Sequence, residues 1–331
     1  MHVLVVGGAG YIGSHMVKKL LSVGYRVTVL DDLSTGYRNA VLTENFIQGN
    51  IQDQILLGRI FSENCFDAVF HFASYIQVAE SVKKPNIYYQ NNLSATLNLL
   101  DAMIAAGVNN FIFSSTAAIF GEPQYTPIDE EHQQLPINPY GRSKWMVEQI
   151  LRDYDHAFNL KSVCLRYFNA AGADPEGQLG ERHEPETHLI PILLQVASGK
   201  RAHGTVFGTD YPTPDGTCIR DYIHVMDLCD AHIAALEYLC KSHQSNCFNL
   251  GNGSGFSVAE VIQVVQQVTG KSLEINYAER RSGDPAILIA NANRARTILG
   301  WHPRYKDLKS IVYHAWNFEI KQQVPSYDES N

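Results

Sequence analysis

"HVLVVGGAGYIGSHMVKKLL", residues 2–21, decides the fold. An unbroken apolar run, His2 to Val6, ends in a cluster of glycines, and a helical pattern starts at about Ile12 and runs to Val23. The cluster contains Gly8-x-Gly10-x-x-Gly13 and also Gly7-x-x-Gly10-x-x-Gly13. Glycines at this spacing permit a tight strand-to-helix turn and let the backbone approach a pyrophosphate resting on the helix N-terminus. The next apolar run, "RVTVLDD", ends at Asp31, 18 residues after Gly13, where a carboxylate can bind ribose hydroxyls. A carboxylate there also repels a 2′-phosphate, which favours NAD over NADP. The order of strand, turn, helix, second strand and acid points to dinucleotide binding rather than to a turn that merely joins two elements, with Gly7, Gly10, Gly13 and Asp31 as its candidates.

Outward from this unit the pattern repeats. "NFIQGNI", "DAVFHFA", "NFIFSST" and "SVCLRYFN" read as further strands, and long helical stretches cover Asn86 to Ala106 and Tyr140 to Phe158. Apolar strands alternating with helices predict a parallel sheet covered on both faces. The expected fold is α/β: a doubly wound parallel sheet, or Rossmann fold, over 1–168. After Phe168 the rhythm changes. "AAGADPEGQLGERHEPE" reads as a long loop, and beyond it helices mix with short strands such as "CFNLG" and "LEINY". The segment 169–331 is therefore expected to form a smaller mixed α/β C-terminal lobe for substrate, with some segments rejoining the main sheet. Its tail, 322–331, is expected to fray.

The 331 residues suffice to bury roughly 75% of the unfolded chain's surface, so no disulfide or metal is required to hold the fold, and no metal site is expected. A formal net charge of −8 argues against nucleic acid as a partner. None of the six cysteines forms a C-x-x-C pair, consistent with reduced thiols in the cytoplasm. The first residues lack the charged start and cleavage site of a signal peptide. No apolar run approaches the ~18 residues of a membrane span.

"PYGRSK", 139–144, places Tyr140 and Lys144 four apart at a helix start. Taken alone, the pair is common and reads as a packed ring and a surface lysine after a helix-initiating proline. Its position makes it a candidate for chemistry. It follows "SST" by 24 residues, and Thr116 closes a strand at the end where open α/β sheets bind ligands.

"GGAGYIGSH", "SSTAAIFG", "YGRSK" and "RDYIHVMDL", in this order, resemble the extended short-chain dehydrogenase/reductase family, most closely its UDP-glucose (UDP-galactose) 4-epimerases, from Met1 to about Tyr305. The resemblance implies that Tyr140 is the general base and acid, that Lys144 tunes it, and that Thr116 holds the sugar hydroxyl. A free tyrosine, with a pKa of about 10, is a poor base at neutral pH; lowering it by ~3 units takes ~4 kcal/mol, expected from the Lys144 ammonium and the nicotinamide ring. The resemblance also implies NAD contacts at Tyr11, Ile12, Asn50, Ile51, Phe72, Ala73, Asn91 and Phe168, besides Tyr140 and Lys144. Asn50 stands where many relatives carry aspartate, and its amide can still hydrogen-bond adenine.

For a UDP-sugar the resemblance implies Asn169, His188, Leu189, Phe207 beside uracil, Arg220 and Arg281 on phosphate, Asp284 on ribose, and Leu288 at the sugar pocket. Arginine forks suit phosphate oxygens. Read singly, "RDY" and "RRSGD" are equally surface ion pairs, and His188 a helix-start residue. Dehydratases and decarboxylases of the family carry a carboxylate where this chain has Ala117. Its absence leaves oxidation and reduction at one carbon, hence 4-epimerisation of UDP-glucose and UDP-galactose with tightly held NAD. Leucine at 288, between a bulky aromatic and a small residue in size, extends the expectation to UDP-GlcNAc and UDP-GalNAc. The alternatives are a 4-epimerase of a UDP-pentose or UDP-uronic acid, and a non-catalytic NAD-binding scaffold. Relatives are commonly homodimers through the two long helices, whose candidate contact residues are Leu93, Leu97, Leu100, Met146 and Ile150.

Overall fold

The computed structural model describes residues 1–281 and 283–322. The tail from 323 lies outside the described residues. The nucleotide-binding half runs β1 (His2–Val6), α1 (Tyr11–Ser22), β2 (Arg26–Asp31), β3 (Phe46–Gln48), α2 (Gln54–Glu63), β4 (Ala68–His71), α3 (Val78–Lys83), α4 (Pro85–Tyr88), α5 (Ala95–Ala105), β5 (Asn110–Thr116), α6 (Pro139–Phe158) and β6 (Lys161–Tyr167). After it come β7 (Asn169–Ala171), α7 (Leu189–Ala197), β8 (Gly204–Phe207), β9 (Ile219–Arg220), β10 (Tyr222–His224), α8 (Val225–Ser242), β11 (Asn246–Leu250), β12 (Phe256–Ser257), α9 (Val258–Thr269), β13 (Ile275–Ala278), β14 (Ile287–Leu288) and α10 (Leu308–Lys321).

Seven strands form one sheet in the order β11-β6-β5-β4-β1-β2-β3, every neighbouring pair parallel. This is the doubly wound α/β fold that the alternating pattern predicts. Two apolar layers sandwich the sheet. One contains Met16, Val17 and Leu20 of α1 with Leu228, Ala231 and Leu236 of α8. The other contains Leu57 and Ile60 of α2, Leu99 and Met103 of α5, and Val147 and Leu151 of α6. β11 and α8, both from beyond residue 169, thus belong to the main sheet and its cover: Phe248 and Leu250 are fully buried beside β6.

The remaining strands form small two- and three-stranded sheets (β10-β7, β12-β9-β14 and β13-β8). α7, α9 and α10 share a separate core built on Leu193, Val261 and Ile311. The helix expected over Asn86 to Ala106 is interrupted: residues Tyr89–Ser94 form a π turn between α4 and α5. A π turn widens the helix by one residue and is common at functional sites. Among the described residues no helix is long and apolar enough to cross a membrane.

Candidate active site

The parallel register brings the carboxyl ends of β1, β4, β5 and β6 to one edge. Val6 stands beside His71, His71 beside Phe113, and Thr116 beside Tyr167. The glycine turn leaves this edge after β1. Gly7 has φ +81°, and a Cβ there would lie 2.5 Å from the Ala73 nitrogen. A Cβ on Gly13 would lie 2.0 Å from the Gly7 carbonyl oxygen. Gly7 is thus required by its positive φ and the close approach of the segment after β4, and Gly13 by the close approach of α1 to the turn. Gly10 caps α1 without a side-chain hydrogen bond, and no acidic residue occupies the first turn. The helix therefore presents free N–H groups and an uncompensated positive end.

Asp31 closes one side of the turn. Its Oδ2 accepts the Ala9 N–H at 2.9 Å and its Oδ1 accepts the Leu33 N–H at 2.8 Å. Burial raises its pKa against these bonds. Asn50 donates from Nδ2 to Asp32 at 2.6 Å and accepts the Gln52 N–H at 2.8 Å. Ile51 is buried, Phe72 donates its N–H to the Val6 carbonyl, and Ala73 abuts Gly7. Tyr11 and Ile12 open α1. A glycine cradle with no room for a Cβ at Gly7, Gly8 or Gly13, a free helix N-terminus and a carboxylate at the end of β2 fit a dinucleotide, with its pyrophosphate on α1 and a ribose on Asp31.

α6 starts where the sequence places it. Asn138 caps it by accepting the Gly141 N–H at 2.8 Å, and Pro139 fills the first turn. A Cβ on Gly141 would lie 2.5 Å from the Ala118 carbonyl. The glycine lets the first turn of α6 press on the segment just after Thr116. This brings Tyr140 into hydrogen-bonding reach of Thr116. The Thr116 oxygen also accepts the Ala118 N–H at 3.1 Å.

Lys144 lies one turn further, 2% exposed. Its ammonium donates to Ser74 Oγ and to the Ser114 carbonyl, both at 2.7 Å, and lies 4.8 Å above the Phe113 ring. Burial lowers its pKa to about 7, although the Glu148 carboxylate works the other way.

The phenol does not behave as the sequence reading expects. Burial pushes the Tyr140 pKa up, and the Thr116 hydrogen bond alone pulls it down. The Lys144 ammonium is spent on Ser74 and Ser114. The residues of the chain on balance raise the Tyr140 pKa.

Several supporting residues escape a motif reading. Asn92, on the π turn, accepts the Tyr75 N–H at 2.8 Å and donates to the Ser143 hydroxyl at 3.2 Å, tying that turn to α6. Its neighbour Asn91 donates to it at 3.1 Å. Beneath α6, Glu148 accepts from Ser115 at 2.5 Å and pairs with Arg166 at 2.6 Å, both side chains no more than 1% exposed. Strand alternation offers a signal for these serines. Residues of β5 point alternately to opposite faces, so Ser114 and Thr116 face one way and Ser115 the other.

The candidate substrate residues lie on or beside the small sheets and α7, and the structure joins them in separate pairs. Leu288 stands beside Arg220 in the β14-β9 register, and its side chain joins Phe168 and Trp145 against Phe120 and Ile128. Arg220 and Asp284 form an ion pair with each other. The Arg281 guanidinium lies 4.0 Å above the Phe207 ring. Asn169 donates to the Asp221 carbonyl at 3.0 Å. His188 caps α7 just before Leu189, but its Nδ1 faces Glu181 at 2.9 Å and Glu186 at 3.1 Å.

Residues 3–251 match the model of the NAD dependent epimerase/dehydratase family. The chain belongs to this family. It is 53% identical over 331 residues to a UDP-glucose 4-epimerase of Halalkalibacterium halodurans, covering 100% of this chain and 99% of that one. A crystal structure of UDP-glucose 4-epimerase from Brucella ovis in complex with NAD is 47% identical, covers 96% of this chain and 98% of that chain, and has a TM-score of 0.94. The UDP-Glc/GlcNAc 4-epimerase from Campylobacter jejuni is 45% identical, covers 97% of this chain and 99% of that chain, and has a TM-score of 0.85. The glycine cradle and α1 fall within the matched residues, as do Tyr140 and Lys144.

Proposed function

We propose that this family member interconverts UDP-glucose and UDP-galactose by transient oxidation at C4 of the sugar, with NAD held throughout. The observation that carries the reading is the convergence of Thr116, Tyr140 and the buried Lys144 at the sheet edge where the glycine cradle opens. NAD, when bound, supplies the hydride acceptor at C4 and returns the same hydride, so no reductant is consumed. Gly7, Gly10, Tyr11, Ile12, Gly13, Asp31, Asn50, Ile51, Phe72, Ala73, Asn91 and Phe168 would hold it. Tyr140 takes the proton of the 4-hydroxyl and gives it back, and Thr116 orients that hydroxyl. Lys144 places a titratable ammonium beneath the site. With the chain pushing the phenol upward, the cation of the oxidised cofactor is the charge that favours phenolate.

On the substrate side, Arg220 and Arg281 suit the diphosphate and Asp284 the uridine ribose. Phe207 offers a face for the base, already stacked by Arg281. Asn169, His188 and Leu189 border the chamber, and Leu288 bounds the sugar. The Campylobacter enzyme's dual substrate range supports extending the reading to UDP-GlcNAc and UDP-GalNAc. The protein is read as cytoplasmic, and as a homodimer through α5 and α6. Leu93, Leu97, Met146 and Ile150 are partly open there, whereas Leu100 is fully buried in the core and takes no part.

The deciding experiment incubates the holoenzyme with UDP-galactose, UDP-GalNAc, UDP-xylose and UDP-glucuronate separately, without reductant, and identifies products by proton NMR. UDP-galactose should equilibrate with UDP-glucose. Turnover confined to the pentose or the uronate would replace the reading with another 4-epimerase, and no turnover of any would leave a scaffold.

A further inference from the structure

The long loop between β7 and α7 carries "GERHEPETH", residues 180–188, in which the two histidines and two of the glutamates converge. One ligand atom each from Glu181, His183, Glu186 and His188 lies within 4.8 Å of all the others. His183 Nδ1 is 3.4 Å from Glu181 Oε1 and 3.5 Å from Glu186 Oε2. His188 Nδ1 is 2.9 Å from Glu181 Oε1 and 3.1 Å from Glu186 Oε1. Four ligands held about 2.0–2.1 Å from a tetrahedral zinc ion stand about 3.4 Å apart, the separation that His183 Nδ1 keeps from both Glu181 Oε1 and Glu186 Oε2.

Two further observations point to an occupant. The Glu186 side chain is 2% exposed, yet its Oε2 has no hydrogen-bond partner, and neither does His183 Nδ1. The two orphaned atoms face each other at a distance longer than the ~2.7–2.9 Å of a charge-assisted hydrogen bond. The other Glu186 oxygen is already fixed by the N–H groups of Thr187 at 2.8 Å and His188 at 2.9 Å, which aims Oε2 inward. The charge also balances. Two carboxylates and two neutral imidazoles sum to −2, which one divalent cation cancels; unpaired buried carboxylates are costly.

We propose that Glu181, His183, Glu186 and His188 bind one divalent transition metal ion of the zinc class as a structural site. The sequence offers no zinc-ribbon or helical His-x-x-x-His signature, and the composition calls for no metal, so the site is visible only once the loop is folded. Its position gives it a role. The same loop covers the glycine turn: Gly180 and Arg182 line the cleft with Ala9, Gly10 and Tyr11. Arg182 stacks over Tyr37 at 4.1 Å and bonds Asn39 at 2.8 Å. The Tyr11 hydroxyl donates to the Gly172 carbonyl at 2.7 Å, and its ring meets that of His183. Since His188 begins α7, an ion at the cluster ties the cover of the cofactor cradle to the first turn of the substrate-side helix. A four-ligand site with all positions filled by protein is closed to substrate, as structural sites are.

The competing occupant is a pair of protons, one on each imidazole. The test uses untagged full-length protein, purified without chelator, in four measurements. Elemental analysis should find about one zinc-class ion per chain. After dialysis against dipicolinate, Co2+ titration should give the visible d–d bands of a tetrahedral site, saturating at one equivalent. His183→Ala and Glu181→Gln should each weaken Co2+ binding at least about 100-fold, since even removing an outer partner of a ligand costs 10–100-fold. Limited proteolysis should cut the 173–188 segment faster in the dialysed protein, and added Zn2+ should restore protection whether or not turnover is measured. The wild-type titration decides even if a variant fails to fold. No bound metal, no cobalt bands, and nitrogen NMR showing both imidazoles doubly protonated would overturn the site. So would metal binding that both substitutions leave unchanged.

Discussion

Lys144 holds its ammonium 2.7 Å from the carbonyl oxygen of Ser114, two residues before Thr116 on β5. The lysine is locked in the core under the active site, where burial takes its pKa to about 7. This has a consequence for stability. In the unfolded chain the group titrates near 10.4. Between the two values the unfolded state binds more protons, so stability rises with pH across that window and the penalty of a buried charge is complete below it. In NAD-free protein, the unfolding free energy of the wild type relative to Lys144→Met should climb by roughly 1 kcal/mol per pH unit from about pH 7.5 to 9.5. Urea denaturation of both proteins at three pH values measures this. A difference independent of pH would show that the lysine stays charged in the fold.

Tyr140→Phe removes the proton carrier and leaves the ring. General acid–base groups contribute about 10²–10⁴-fold, so kcat should fall by about 10³-fold or more, while NAD content per chain stays at the wild-type level. The phenol's only hydrogen bond among the causes of its shift is to Thr116, so little structure depends on the hydroxyl. Stopped assays with UDP-galactose and release of NAD by heat denaturation give both quantities. An unchanged rate would remove Tyr140 from the chemistry.

The strand-turn-helix of residues 2–21 and the alternation of apolar runs were enough to read the sheet and the cofactor cradle, because a parallel sheet writes its burial into consecutive residues. The start of α6 with Tyr140 and Lys144 four apart was legible because Pro139 and that spacing are local. What was not legible came from distance. The turning of Lys144 to Ser74 and Ser114 depends on packing between α6, β5 and the segment after β4. The pairing of Arg220 with Asp284, 64 residues apart, and the stacking of Arg281 on Phe207 depend on small sheets whose two- to four-residue strands carry no periodic signal. The π turn of Asn91 and Asn92 sits within an unbroken helical pattern. The bonds that hold Asn92 come from Tyr75 and Ser143, both distant in sequence.

Glu148 and Arg166 form a buried ion pair behind the catalytic helix, shared with Ser115. Arg166 NH1 has no partner of its own, so the guanidinium relies on Glu148. Breaking such a pair from one side costs about 3–5 kcal/mol because a charge is left unpaired. Glu148→Gln should therefore destabilise the fold by about 3 kcal/mol, read from the urea midpoint. Glu148→Gln with Arg166→Met should recover part of the loss. If the double variant were no more stable than the single one, the unpaired guanidinium would not be the cause.

Leu288 sits in a short strand whose backbone is fixed independently of its side chain: the Asp221 N–H donates to the Leu288 carbonyl at 3.0 Å. Its side chain is partly buried against the cluster of Ala117, Ile119, Phe120 and Ile128, so its bulk can be changed without unpicking β14. If that bulk bounds the sugar pocket, enlarging it should exclude the 2-acetamido group while leaving the smaller hexoses. Leu288→Tyr should lower kcat/KM for UDP-GalNAc at least about 10-fold more than for UDP-galactose, the scale of discrimination available from steric contacts in an apolar pocket. Leu288→Ala should shift the ratio the other way. Initial rates with both substrates for the three proteins measure it. Equal effects on the two sugars would place the acetamido pocket elsewhere.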